Sequence, residues 1–265
     1  MHYLEPELLR RTVRVLVVGC GGNGSAIAAG LPYLHQAMLV GGHPGGLQVM
    51  VMDGDVISPS NCVRQPFCQS EVGLFKAVVM VNRLNLFWGL HWEALPEHLT
   101  EESKIGEFDI VIGCVDTRSA RRTIRSCAEG RQSRVAYWLD LGNGAEGGQF
   151  VLGQPWNRRN PRRANRLRTA SELFPEIVDT ALPEDAPSCS AAEALYRQES
   201  FVNQVIATHA LTLLACLFRR GGLRIHGAFV GATSHQVRPI EVDPVLWRRL
   251  RSRAPTRADG HSCRG

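Results

Sequence analysis

Gly19, Gly21 and Gly24 stand at the spacing G-x-G-x-x-G within VVGCGGNG, with Gly22 as a further glycine between them. Such a loop turns tightly and lets backbone N–H groups approach phosphate oxygens, which the N-terminus of a following helix also attracts. Taken alone, the same pattern is also a plain glycine turn that packs a helix on a strand. Asp53 closes LQVMVMD, where an acid accepts hydrogen bonds from ribose hydroxyls. It also opens DGDVISPSNCVRQPF, in which Asp55, Asn61, Arg64 and Gln65 follow, and Lys76 comes soon after. A dinucleotide has no use for this cluster of amide and positive side chains. Charge spread over a triphosphate does, because it calls for a bidentate arginine and a compact lysine. Asp116 ends FDIVIGCVD, a position that suits a helix cap, a metal ligand or both. Lys76 by itself is equally a charge on a solvated helix face.

Strands and helices must carry these groups. VRVLVVG is an apolar, β-branched run ending in glycine, the pattern of a strand buried on both faces of a parallel sheet. SAIAAGLPYLHQAML has helical spacing, with Pro32 expected to kink or interrupt it, and GGHPGG marks a loop. LQVMVMD reads as a second strand and VGLFKAVVMVNRLNLF as a second helix; FDIVIGCVD, SARRTIRSCAEG and VAYWLDLG continue as strand, helix and strand. The alternation predicts a doubly wound, mostly parallel α/β sheet, whose ligands bind outside the carboxyl ends of the strands. Gly19, Asp53 and Asp116 all fall at such ends.

Residues 1–153 are therefore read as a nucleotide-binding core and 154–190 as an irregular crossover or lid rich in Pro, Arg and Asn. Residues 191–247 are read as a C-terminal helix and closing strands completing the same domain, and 248–265 as a disordered basic tail. The helix is the apolar ALYRQESFVNQVIATHALTLLACLF, ended by Gly221 and Gly222; His209 within it reads as a core or interface histidine. LRIHGAFVG and HQVRPIEVD form the closing strand pair.

Over 265 residues, 44% apolar and 21% charged, the composition is that of a globular chain with one sizeable core. No apolar run approaches the roughly 20 residues of a membrane span. The N-terminus lacks the basic-then-apolar order of a secretory signal, so a cytoplasmic chain with reduced cysteines and no membrane contact is expected. The eight cysteines include no C-x-x-C pair, which predicts no structural zinc. The net charge is +5, much of it from NRRNPRRANRLR, with six arginines between Arg158 and Arg168. That run reads first as a solvated loop, with a docking surface for an acidic partner or nucleic acid as the alternative; nucleic acid is not the expected partner.

With these motifs in order, the chain resembles the ThiF/MoeB/ubiquitin-activating-enzyme superfamily, most nearly the ThiF-family proteins of the PRTRC system. The pattern V-x-V-x-G-x-G-G-x-G, D-x-D-x-V-x-x-S-N-x-x-R-Q, V-G-x-x-K and C-x-D-x-x-x-x-R is followed at Gly19–Gly24, Asp53–Gln65, Val72–Lys76 and Cys114–Arg121, with Ile57 at the V position of the second. The resemblance covers the chain to about Gly153. It implies a Rossmann-like fold that adenylates the C-terminal carboxylate of a ubiquitin-like or sulfur-carrier-like β-grasp protein ending in Gly, using ATP and Mg²⁺ in a homodimer. Asp53 would hold the ribose, and Asn61, Arg64 and Lys76 the triphosphate, with Gln65 supporting that loop; Asp116 would hold Mg²⁺. The chemistry fits, since attack of a weak carboxylate nucleophile on the α-phosphorus needs alignment and charge neutralisation more than a general base.

Two departures stand out. The R-Y-x-R-Q segment whose arginine reaches the partner subunit's nucleotide is missing, leaving Arg10 or Arg11 as substitutes, and the family's zinc cysteines are absent. Relatives that go beyond adenylation form a thioester, for which Cys189 in APSCSAAEALYRQ is the candidate, placed before a helix N-terminus that would favour its thiolate. Its alternative is an inert small residue. Two other readings keep the nucleotide site: adenylation of a small-molecule or peptide carboxylate, and a nucleotide-sensing binding module without turnover.

Overall fold

The computed structural model describes residues 1–181 and 199–252. A short strand β1 (His2–Tyr3) precedes the first long strand β2 (Val13–Val18), helix α1 (Gly22–Val40) and strand β3 (Leu47–Met52). Then come α2 (Lys76–Trp88), β4 (Glu93–Leu95), β5 (Ile110–Gly113), α3 (Arg118–Ala128), β6 (Tyr137–Asn143) and β7 (Gly147–Gly153). A four-residue helix α4 (Ala170–Leu173) leads towards α5 (Val202–Arg220), β8 (Gly222–Leu223), β9 (Ile225–Gly231), β10 (Val237–Glu241) and α6 (Pro244–Ser252).

The eight-stranded sheet has the order β10-β9-β7-β6-β5-β2-β3-β4. The pairs β2–β3, β3–β4, β2–β5 and β5–β6 are parallel, whereas β6–β7, β7–β9 and β9–β10 are antiparallel. This is the doubly wound, mostly parallel sheet that the alternation predicts, extended at one edge by an antiparallel flank. The chain order reverses at β2, between β3 and β5, so the crevice for a ligand lies beyond the carboxyl end of β2. Alternation along β2 divides two cores: Val13, Val15 and Val17 join the layer of α1, α2 and α5, while Leu16 and Val18 join Ile105, Ile124 and Trp138 beneath α3.

Several expectations need correcting. Pro32 does not break α1, which runs through it and buries it. β7 and the edge strand β4 carry too little alternation to stand out in the sequence. Part of the expected crossover forms α4 and a 3-10 turn, Pro175–Val178. The tail expected from residue 248 begins inside α6, which buries Trp247 and reaches Ser252. α5 has the length and apolarity of a membrane span, yet Ile206, Ala210, Leu214 and Leu217 are buried in the core.

At the amino ends of the strands, Asp109 ties the chain together. Arg11 grips it with two hydrogen bonds of 2.7 Å, Arg159 reaches it at 2.9 Å and Glu5 at 2.6 Å, and the Arg14 N–H adds a bond of 3.0 Å. Burial pushes the Asp109 carboxyl up, but the bonds from Arg11, Arg14 and Arg159 outweigh it and hold it below the usual range.

His226 is buried beside β7. The Trp247 indole donates to its Nε2 at 2.8 Å, so Nδ1 carries the proton and donates to the Leu152 carbonyl at 2.9 Å. Burial lowers its pKa from 6.5 to about 4, and His2, 2.7 Å from the Tyr137 hydroxyl, shifts the same way. Between those values the unfolded chain binds the extra proton, so the stability from neutral His226 is complete above pH 6.5 and is lost as pH falls through 4. The expected loss is about 3 kcal/mol. Urea unfolding followed from pH 7.5 to pH 4 measures it, and in His226→Leu the acid arm of the curve should flatten.

Candidate functional site

Three loops meet beyond the carboxyl ends of β2, β3 and β5. The Gly19 N–H donates to the Met52 carbonyl and the Cys114 N–H to the Val18 carbonyl, both at 2.8 Å, while the Cys20 N–H donates to the Asp53 carboxylate. The glycines have different reasons to be glycine. Gly19 has φ +90°, and a side chain there would lie 2.7 Å from the Cys114 carbonyl oxygen. A Cβ on Gly24 would overlap the Gly19 carbonyl oxygen, and one on Gly22 the side chain of Asn203 from α5. Around Gly21 the nearest atom to such a Cβ is Gln65 Nε2, at 4.0 Å. Two glycines thus close the turn onto α1, and Gly21 leaves a backbone surface open to a ligand.

Asp53 stands at the rim of this turn. Its second oxygen accepts the Asp55 N–H at 2.7 Å. Burial raises its pKa, while the N–H groups of Cys20 and Asp55 and the charge of Lys76 pull it back. Lys76 is not on a solvated face: it is the first residue of α2, 6% exposed, with Nζ 2.9 Å from Asp55 Oδ2. Asp55, by contrast, is exposed.

Asn61, Arg64 and Gln65 ride on an irregular loop between β3 and α2. Its base is closed by the Val56–Phe75 bridge and by the bonds Ile57 N–H to Leu74 O and Gly73 N–H to Ile57 O. Its crown is held by Arg83 of α2, which binds the Pro66 carbonyl and both Glu71 oxygens, and by the buried Phe67. Asn61 spends its side-chain oxygen on the Ser58 N–H at 2.9 Å, so it shapes the loop. Arg64 is half-buried, with its pKa lowered by that burial. Gln65 turns towards Gly21 with a buried Oε1 that lacks a hydrogen-bond partner among the described residues.

Asp116 is exposed on the loop after β5 and does not cap α3: Thr117 does, accepting the Ala120 N–H at 3.2 Å. Its carboxylate is thereby left to other uses. Among the described residues no three His, Cys, Asp or Glu side chains gather as a metal cluster. One carboxylate suits magnesium, which takes most of its remaining ligands from phosphate and water. Behind this loop lies a pair that sequence reasoning missed. Arg121 Nε lies 3.4 Å from Asp140 Oδ1, and its other nitrogens reach the carbonyls of Asp116 at 3.4 Å and Leu141 at 3.3 Å. Asp140 is 1% exposed; burial raises its pKa, and Arg121 offsets the rise. Arg121 lies in the C-x-D-x-x-x-x-R motif, but its partner appears only once β6 pairs with β5 and sets Asp140 opposite Gly113. Asn23, bonded to Asn143 at 2.9 Å, and Asn203 flank the glycine loop in the same unannounced way.

Two expectations lie outside the described residues of a single chain. Arg11 binds Asp109 at the amino ends of the strands, the edge opposite this chain's own glycine loop, whereas the role expected of Arg10 or Arg11 is at a partner subunit's nucleotide. Cys189 lies outside the described residues. Cys20 is buried, with its thiol pushed up to about 12 by burial, so it is inert as a nucleophile.

The ThiF family is matched over residues 6–216. The adenylyltransferase and sulfurtransferase UBA4 of Eremothecium gossypii is 33% identical over 146 residues, covering 52% of this chain and 30% of that protein. Its Aspergillus fumigatus counterpart is 34% identical over 134 residues, covering 47% and 24%. This chain therefore spans less than a third of these relatives. Among solved structures, PaaA aligns with a TM-score of 0.58 at 16% identity, covering 87% of this chain and 64% of that one. The MccB of E. coli, solved with ATP, aligns with a TM-score of 0.54 at 17% identity, covering 88% and 64%. At these identities the likeness is one of fold.

Proposed function

The chain belongs to the ThiF family, and from that premise we propose that it binds ATP with Mg²⁺ and adenylates the C-terminal carboxylate of a ubiquitin-like or sulfur-carrier-like protein. The observation that carries this reading is the convergence of the open Gly21 backbone, Asp53, the Arg64–Gln65 loop, Lys76 and Asp116 beyond β2, β3 and β5. Asp53 accepts from the ribose hydroxyls, and the N–H groups at the start of α1 face the phosphates. Arg64 binds phosphate oxygens in a fork, and Lys76 adds a point charge. Asp55 holds Lys76 until the phosphates take its place; being exposed, it releases the lysine at little cost. Asp116 would hold the magnesium ion, which supplies charge neutralisation at the phosphates.

An acceptor carboxylate oxygen then forms a bond to the α-phosphorus, the bond from that phosphorus to the bridging oxygen breaks, and pyrophosphate leaves with the electron pair. Arg121, anchored on Asp140, keeps the Asp116 loop in place. The relatives named UBA4 support a protein acceptor, as adenylyltransferases that are also sulfurtransferases. A homodimer belongs to the same reading. It is supported by α1, which has no charged residue and exposes Tyr33, stacked edge-on against Trp88 of α2 beside the exposed Phe87.

ATP–pyrophosphate exchange with candidate β-grasp proteins tests the activity; no exchange with any of them, in a folded chain that binds ATP, would count against it. Asp116→Ala should abolish metal-dependent exchange, and undiminished exchange would remove Asp116 from the metal. Cys189→Ala should leave exchange intact and remove only a thiol-labile conjugate. A second reading, adenylation of a peptide, is favoured by the likeness to MccB, solved with MccA. Mass spectrometry of the adenylated product separates the two.

A further inference from the structure

The fold divides the Arg158–Arg168 run into two halves. Arg159 and Arg166 turn inward: Arg159 binds Glu5 and Asp109, and Arg166 binds Glu172 and the Gln154 carbonyl. Arg168 adds a contact to Glu172 at 3.4 Å, and Glu129 is held by Arg125 at 3.2 Å. Glu5, Asp109, Glu172 and Glu129 are thereby each paired with an arginine. Arg158, Arg162 and Arg163 point outward and form no ion pair among the described residues, and neither does Arg131 after α3. These arginines share one surface, because the Gly130 N–H donates to the Trp156 carbonyl at 2.9 Å and Asn157 donates to the Ala128 carbonyl at 3.0 Å.

Its centre is Trp156, 43% exposed, with the Arg162 guanidinium 4.2 Å from the ring centroid. The backbone beneath is fixed by the buried amides of Asn157 and Asn160, which bond to the carbonyls of Val135 and Ala136. A charge run that served only solubility would need no such pinning. Gly153, where the segment begins, pairs with Trp138 at the start of β6, so the surface lies at the edge of the sheet away from the glycine loop.

We propose that this surface binds a single strand of nucleic acid, with the arginines on phosphate oxygens and the Trp156–Arg162 stack as a platform for bases. An acidic peptide would use the arginines but leave the exposed indole without a task. A duplex keeps its bases stacked on one another and offers the ring no face. Being at the opposite edge, the proposal stands apart from the adenylation reading.

The full chain titrated with an end-labelled, mixed-sequence single strand tests it through anisotropy and tryptophan emission. Binding should quench Trp156, the most exposed of the indoles, and Trp156→Ala should remove the quenching and weaken affinity about tenfold. In the triple variant Arg158→Gln, Arg162→Gln, Arg163→Gln the slope of log affinity against log salt should become shallower by about 0.7 per arginine. ATP binding and melting temperature should stay unchanged. Equal affinity in the triple variant and the parent would overturn the proposal, as would equal binding of the duplex. So would competition by polyglutamate as strong as by the oligonucleotide, which would mark an acidic protein as the partner.

Discussion

Replacing Arg64 by alanine should lower ATP–pyrophosphate exchange about 10²- to 10³-fold without unfolding the chain. The loop that carries it is held at several other points. Its base is bonded through Ile57, Gly73 and Leu74, and its crown through Arg83, Glu71 and Phe67. Under the proposed adenylation, the change removes a fork of donors placed where negative charge would shift onto the leaving pyrophosphate. Arg64→Lys should restore only a small part, since one ammonium cannot bond two oxygens in a plane. Exchange rates and melting curves of the two variants check this. A fall of less than about threefold in Arg64→Ala would place the residue off the phosphates.

Two glycines separated by three positions should behave in opposite ways. Gly24→Ala puts a methyl group into the Gly19 carbonyl oxygen where α1 packs on the turn, and neither is free to move. We expect a loss of about 3 kcal/mol or more in folding free energy, together with loss of nucleotide binding. Gly21→Ala meets only Gln65 Nε2 at 4.0 Å, so the fold should hold while ATP affinity falls if, as proposed, the phosphates pass over this backbone. Urea unfolding and ATP titration, run on both, give the contrast. If Gly21→Ala binds ATP as the parent does, the phosphates lie elsewhere.

Much of this site is readable from local pattern. VRVLVVG ending at Gly19, and the acids and bases after Asp53, are short segments whose spacing carries its own geometry. Lys76 is the first case where local reading falls short: an apolar helix with one lysine looks solvated, and only the packing of α2 against the β3 loop buries it. Asp116 shows a different limit, since moving the helix start by one residue transfers the cap to Thr117 and changes the task left to the carboxylate. Arg83, Asp140 and Asn143 belong to the site by contacts between elements distant in the chain, which no spacing rule announces. The arginine run could not be divided in advance either, because the acids that take its inner members include Glu5 and Asp109, 154 and 50 positions away from Arg159 along the chain.

The strand pairing at the start of the chain bears on how the protein comes into being. His2 pairs with Leu223 and Tyr3 with Gly222. His2 and Tyr3 must therefore wait for residues made about 220 positions later before they find their place. The parallel core from β2 to β6 can assemble during synthesis, but β1, β8 and the antiparallel flank can close only afterwards. Such distant closure slows folding and leaves an open sheet edge exposed while translation continues.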